Sequence, residues 1–380
     1  MFEVVQNRRV WFGAGALGQL RDIVGSYHVR KVLLLTFNPD SAVSRRIQSD
    51  LTACGVGVHA MDPVVGEPDL ESIDRTVAVL RKEECDCVLA LGGGSVLDAA
   101  KAVAMIATNG GTAEEYQMQG RQAGRPALPL IAVPTTAGTG SEATKVSVVY
   151  NGKTRLKKSF YSPSMIADAV ILDPEATVDL PPRVTASTGI DALSHAIESY
   201  VSLNATPYSQ MNSLKAVELI GRSLVAAFRD GHDIGARTDM LYASFFAGCA
   251  LQAGIGLAHI IAQPLGGLLK IPHGDACSIF LPYSMEYNME YRPQHYGDLA
   301  RVLGASLKER GPHESRSLIP MVKDLIAAVG APRSIRPYLK DGAFDLDGAV
   351  AVIQGATGHI KCNPGPVDAG VLKRAIEAVS

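Results

Sequence analysis

The sequence has no excess of charge of either sign: 36 lysines and arginines stand against 38 aspartates and glutamates, a net charge of −2 over 380 residues. Without a basic surface there is no general electrostatic reason to expect nucleic acid or an anionic membrane as a partner. Cysteine is scarce and forms no framework. The six residues, Cys54, Cys85, Cys87, Cys249, Cys277 and Cys362, contain no C-x-x-C pair, so they read as reduced thiols of a cytoplasmic protein. Cys85 and Cys87 alternate along an expected strand, as buried small hydrophobes do. No run of about 18 apolar residues occurs, and the stretch from Met1 to Arg9 opens into a strand with no apolar signal region. No membrane span is expected. Internal repeats, low-complexity segments and long linkers are also missing.

What is present is an ordinary globular composition, 47% hydrophobic and 19% charged, in a chain long enough for two domains. Up to about residue 180 short β-branched runs alternate with amphipathic helical patterns. Strands are expected at Lys31 to Thr36, Gly57 to Met61, Asp86 to Leu91, Pro129 to Val133 and Ala169 to Asp173, and helices at Ser41 to Cys54, Leu70 to Arg81 and Val96 to Ile106. That alternation implies a parallel, doubly wound sheet. After Pro181-Pro182 helical patterns dominate, at Val184 to Val201, Tyr208 to Phe228, Ala236 to Gln252, Leu257 to Leu269, Asp275 to Tyr287, Ser315 to Val329 and Val367 to Ala378. The expectation is an α/β dinucleotide-binding domain over 1–180 and an all-helical metal-binding catalytic domain over 181–380.

Four side chains in the helical half suit one divalent ion. Asp191 and His195 stand at i and i+4, on one helix face. His259 and His273 lie fourteen apart, and a continuous helix would separate them by roughly 21 Å. Pro264, Gly266-Gly267 and Pro272 are the expected breakers that let His273 fold back. A lone histidine on an apolar helix face is usually structural. Here two pairs lie among small residues, Gly254, Gly256, Ala258 and Ala262, and three imidazoles with a carboxylate suit Zn(II) or Fe(II).

In the α/β half, Gly92-Gly93-Gly94-Ser95 lies between an expected strand and helix, with Asp98 and Lys101 following. Backbone N–H groups there can approach a pyrophosphate, although the run is not G-x-G-x-x-G and a plain turn is equally consistent with it. Pro134 to Glu142, which holds Thr135 and Thr136, is a second polar loop at a strand's carboxyl end, where open α/β sheets bind ligands.

These residues resemble the iron-dependent (group III) alcohol dehydrogenase family, which includes lactaldehyde reductase, 1,3-propanediol dehydrogenase and phosphonoacetaldehyde reductase. The resemblance runs through Phe12 to Leu17, Gly92 to Lys101, Thr135-Thr136, Asp191 to His195, Pro272-His273-Gly274, Leu281-Pro282 and Asn363-Pro364, and so covers essentially the whole chain. It implies a dehydroquinate synthase-like fold, with an N-terminal nucleotide domain, a C-terminal helical domain and the metal and nicotinamide in the cleft between them. It further implies Asp191, His195, His259 and His273 as metal ligands, Gly93, Gly94 and Ser95 at the pyrophosphate, Thr135 and Thr136 on the adenosine side, and Lys157 near the nicotinamide ribose, with Asp98 and Phe37 also counted as cofactor-binding. The implied activity is NAD(P)H-linked interconversion of a small aldehyde and a primary alcohol on Fe(II), with Zn(II) an alternative, in a homodimer or larger homo-oligomer.

Two departures from the family pattern matter. The family commonly carries a histidine four residues after the third ligand, and here that position is Gln263, whose amide cannot act as a general acid. Many members have an aspartate after the second strand that repels a 2′-phosphate. Here Thr36 is followed by Phe37, with Asp40 nearby, so both NAD(H) and NADP(H) stay open. Lys145, Arg155, Lys157 and Lys158 form a basic group that, facing the substrate, would bind an anionic aldehyde such as phosphonoacetaldehyde. The alternative reading is a metal- and NAD-dependent lyase resembling 3-dehydroquinate synthase.

Overall fold

The computed structural model describes residues 1–154, 156–307, 314–339, 344–355 and 361–380. The chain forms two compact units, one from Val5–Thr136 with Gly140–Asp179, the other from Met1–Val4, Ala137–Thr139 and Leu180–Ser380.

The first unit holds β1 (Arg9–Phe12), α1 (Leu20–Ser26), β2 (Lys31–Thr36), α2 (Ala42–Ala53), β3 (Gly57–Ala60), α3 (Leu70–Lys82), β4 (Cys87–Gly92), α4 (Gly94–Asn109), α5 (Ala113–Met118), β5 (Leu130–Pro134), β6 (Val146–Asn151), β7 (Leu156–Tyr161) and β8 (Ala169–Leu172). Six strands make a parallel sheet in the order β1-β8-β5-β4-β2-β3. Every residue of β4 and all but the first of β2 are buried, as expected of strands covered on both faces. The helices begin where the sequence provides caps. Ser41 accepts from Ser44 N at the start of α2, and Asp69 forms a capping box with Ser72 at α3.

One departure from the sequence expectation is the antiparallel pair β6–β7. Its inward positions Ser147, Val149 and Asn151 are buried at period two, but two of the three are polar, which hides the strand from a hydrophobicity reading. Another is the N-terminus, where the first seven residues take no regular structure and the strand begins only at Arg9.

The second unit holds α6 (Pro182–Val201), α7 (Pro207–Arg229), α8 (Ile234–Ala250), α9 (Leu257–Leu269), α10 (His273–Asn288), α11 (Pro293–Ser306), α12 (Leu318–Ala328), α13 (Leu346–Gly355) and α14 (Ala369–Glu377). No strand follows β8 among the described residues, and none of their helices is alone long and apolar enough to cross a membrane. Helices α11 and α13 lie outside the helical stretches read from the sequence. Every residue of α6 from Gly189 to Val201 is buried, so it is a core helix without a solvent face. Burying each of its large apolar side chains, such as Leu193 and Ile197, contributes about 1.5–3 kcal/mol. Its polar residues must instead find partners.

The turn between α9 and α10 is built differently from the sequence expectation. Pro264 and Gly266-Gly267 remain inside α9 and do not break it. The chain turns at Lys270, which adopts a left-handed conformation (φ 57°), and Pro272 then caps α10. The Gly266 carbonyl accepts from both Lys270 N and Ile271 N, which closes the helix end.

Candidate metal centre

Asp191, His195 and Glu198 lie on one face of α6, His259 sits in the first turn of α9, and His273 is the first residue of α10. The structure brings these elements to one point. Asp191 Oδ1 lies 3.7 Å from His195 Nε2, 3.4 Å from His259 Nε2 and 3.6 Å from His273 Nε2. The rings of His195 and His259 stack with centroids 4.6 Å apart. Asp191, His195 and His259 are buried, and His273 is half-buried. The tightest group, in which every donor lies within 4.8 Å of every other, is Asp191, His259, His273 and Cys277. His195 joins it through Asp191.

Two residues at this point, Glu198 and Cys277, are not among the site residues read from the sequence. Their signals are local: Glu198 is three residues beyond His195, and Cys277 four beyond His273, each on the face of its neighbour.

The surroundings fix the candidate ligands in place. Glu198 is buried, and its Oε2 lies 2.6 Å from His259 Nδ1 while Oε1 accepts from Ala258 N at 2.7 Å and from Ser284 Oγ at 3.2 Å. Asn363 Oδ1 accepts from Leu257 N at 2.9 Å. Two free N–H groups at the start of α9 are therefore capped by side chains distant in sequence. Gly274 is required because a Cβ there would meet the Ser187 carbonyl oxygen at 2.1 Å; any side chain would push α10 off α6.

The electrostatics follow from burial and proximity. Burial pushes the Asp191 carboxyl up, but the imidazoles of His195, His273 and His259 overcome it and hold the group well below the usual carboxylate range. Burial pushes His195 down, against the pull of Asp191. For His259, burial opposes the charged ring, yet Cys277, Asp191 and Glu198 together raise it well above the usual value.

In the α/β unit the glycine turn is the open part of a buried stretch. Residues Cys87 to Gly92 and Val96 to Ile106 are buried, whereas Gly93, Gly94 and Ser95 are half-buried. Gly93 is the N-cap of α4, and a Cβ on it would lie 3.1 Å from both Cγ2 and Oγ1 of Thr136. Thr135 N donates to the Gly92 carbonyl at 3.0 Å, so the two candidate loops are joined. Asp98 is placed inward: it accepts from Val148 N at 2.9 Å and from Ser141 Oγ, and pairs with buried Lys101 at 3.0 Å. Lys101 also donates to Ser141 Oγ and Thr144 Oγ1. This buried network braces the Ser141–Thr144 segment, so the Asp98 carboxylate is already occupied by the protein.

Residues 7–174 match the iron-containing alcohol dehydrogenase family, and residues 185–345 match the C-terminal part of the Fe-containing alcohol dehydrogenase family. A probable alcohol dehydrogenase, EutG, of Salmonella typhimurium is 41% identical over 322 residues, 84% of this chain and 80% of the relative. Among solved structures, a 1,3-propanediol oxidoreductase superposes over 100% of both chains with a TM-score of 0.93 at 29% identity. Sulfoacetaldehyde reductase from Bifidobacterium kashiwanohense, in complex with NAD+, covers 100% of this chain and 98% of its own with a TM-score of 0.90 at 28% identity. The chain belongs to the iron-containing alcohol dehydrogenase family.

As a member of that family it is an iron-type, NAD(P)-dependent oxidoreductase acting on alcohols and aldehydes. The donor set suits a divalent metal. Glu198 can only accept, so it keeps a proton on His259 Nδ1 and turns Nε2 toward Asp191 Oδ1 at 3.4 Å. Without an ion a second ring proton meets that carboxylate, in keeping with the raised His259 value; a divalent ion would take that proton's place between the donors.

Gln263 is half-buried on α9, one turn beyond His259. Phe37 follows β2 and is 51% exposed. Lys157 pairs with Glu67 at 2.7 Å. Lys145 and Lys158 are half-buried, and Arg155 lies outside the described residues.

Proposed function

We propose that the chain interconverts a small aldehyde and its primary alcohol, with Asp191, His195, His259 and His273 holding the metal and Gly93, Gly94, Ser95, Thr135 and Thr136 holding the dinucleotide. The observation that carries this is the convergence of three imidazole nitrogens within 3.4–3.7 Å of one carboxylate oxygen. When bound, the metal supplies a Lewis acid to the substrate oxygen. Fe(II) follows the family name, and the donor set also accepts Zn(II).

The protein's own part is to bind, orient and exclude water. Glu198 and Asn363 fix the start of α9 and hence the His259 ring. The half-buried turn Gly93–Ser95 exposes N–H groups of the α4 N-terminus to a pyrophosphate. Asp98 serves by bracing the neighbouring loop. Gln263 orients the substrate through its amide and does not titrate, so the proton comes from water or a ribose hydroxyl. With no carboxylate directly after Thr36, the repulsion that would exclude NADPH is missing there, so NADH and NADPH are both candidates.

The substrate reading is an aldehyde bearing a phosphonate, phosphate, sulfonate or carboxylate group, recognised by Lys145 and Lys158. Sulfoacetaldehyde reductase, whose named substrate is an anionic aldehyde, supports this through its 0.90 TM-score to the present chain. Specificity constants for acetaldehyde, sulfoacetaldehyde and phosphonoacetaldehyde test it, and equal values for the three sink it. A homodimer or larger homo-oligomer, the common habit of the family, is checked by light scattering.

A further inference from the structure

Cys277 is the donor that a four-ligand centre leaves over. It is fully buried one turn beyond His273 on α10. Its Sγ lies 3.5 Å from Asp191 Oδ1, 3.5 Å from His259 Nε2 and 3.8 Å from His273 Nε2. A thiol can donate its one proton to one of these atoms and accept weakly from one ring N–H, so hydrogen bonding accounts for two contacts of the three at most.

Coordination accounts for all of them. A tetrahedral ion with bonds of about 2.0–2.1 Å to nitrogen or oxygen and about 2.3 Å to sulfur has edges of roughly 3.4 Å between the lighter donors and roughly 3.6 Å from sulfur to each. The corresponding separations here are 3.4 and 3.6 Å from Asp191 to His259 and His273, and 3.5, 3.5 and 3.8 Å from Cys277. The sulfur therefore lies at the distances a ligand vertex would have.

We infer that Cys277 is a thiolate donor to the ion held by Asp191, His259 and His273, and that this chain's centre consequently selects zinc(II) over iron(II). The inference rests on the metal site proposed above. Thiolate is a soft donor that favours zinc. As the sulfur–metal bond forms, the thiol proton passes to the buffer, the ion stays divalent and nothing is oxidised.

The test uses the full chain stripped of metal and reloaded with cobalt(II), a spectroscopic stand-in for zinc. Wild-type protein is expected to bind one cobalt per chain with an intense near-ultraviolet thiolate-to-cobalt absorption that Cys277→Ser and Cys277→Ala both lack. Zinc-over-iron preference, measured by competition, is expected to fall on the order of tenfold in Cys277→Ser. Stoichiometric cobalt without that absorption in wild type overturns the role of Cys277 and leaves the metal site standing. Failure to bind any divalent ion overturns both. The wild-type spectrum decides the matter even if neither variant folds.

Discussion

The imidazole Nδ1 of His259 donates to Glu198 Oε2 across 2.6 Å, in a pair with no solvent access, and the same carboxylate caps the helix that carries the ring. One buried side chain thus sets the position and the tautomer of a candidate ligand. Burial alone would raise the Glu198 carboxyl, but its hydrogen bond to His259, with help from the backbone N–H donors at the start of α9, brings it below the usual range, so it is an acceptor at neutral pH.

Glu198→Gln is therefore expected to weaken metal binding by about 10–100-fold, the usual cost of losing such a partner. An amide can present its N–H to Nδ1 and favour the wrong tautomer. Chelator competition on the purified variant measures this, and unchanged affinity would contradict the role given to Glu198.

Gly93→Ala places a methyl 3.1 Å from the Thr136 side chain, tighter than ordinary contact. The glycine turn and the Thr135-Thr136 loop must separate slightly to admit it. Dinucleotide affinity is expected to fall about tenfold, with metal content unchanged. Nucleotide titration by fluorescence checks the first and elemental analysis the second. A similar loss of metal would mean that the turn acts on the whole fold.

Glu142 gives a pH dependence. It is buried, and desolvation pushes its carboxyl up to about 7 from 4.5, against the pull of Lys101. The folded state therefore keeps a proton that the unfolded state loses, so stability falls as pH rises from the unfolded value to the folded one and levels off above it. The penalty at alkaline pH is roughly 3 kcal/mol. Glu142→Gln is expected to gain stability relative to wild type between about pH 5 and about pH 8 in thermal melts. A constant difference across that range would contradict the assignment.

Asn363→Ala leaves Leu257 N and the Asn288 amide without their buried partner. A loss of about 1–3 kcal/mol for each unsatisfied group is expected, together with weaker metal binding because α9 carries His259. Denaturant unfolding and chelator competition on the same sample report both. A destabilised variant with normal metal affinity would show that α9 is held at His259 from elsewhere.

The sequence makes the parallel sheet legible because β2 and β4 are unbroken apolar runs, and it makes the ligands legible because Asp191 and His195 share a helix face. What it hides has physical causes. Pro264 and Gly266-Gly267 lie inside α9, which runs on to Leu269 and is closed only by two bonds to the Gly266 carbonyl. Asp98 follows the glycine turn and suggests a phosphate contact, yet a buried lysine one helical turn on claims it. Cys277 reads as one of six scattered thiols until the turn at Lys270 brings α10 back to α9.

Metal held by Asp191, His195, His259 and His273 is proposed to be required for hydride transfer between a nicotinamide and an aldehyde. The direct measurement is NADH and NADPH oxidation with an aldehyde panel, made on protein stripped by chelator and then reconstituted anaerobically with Fe(II) or Zn(II). Turnover is expected to vanish on stripping and to return with metal in the wild type but not in His259→Ala. Full turnover by stripped, metal-free protein would contradict the account.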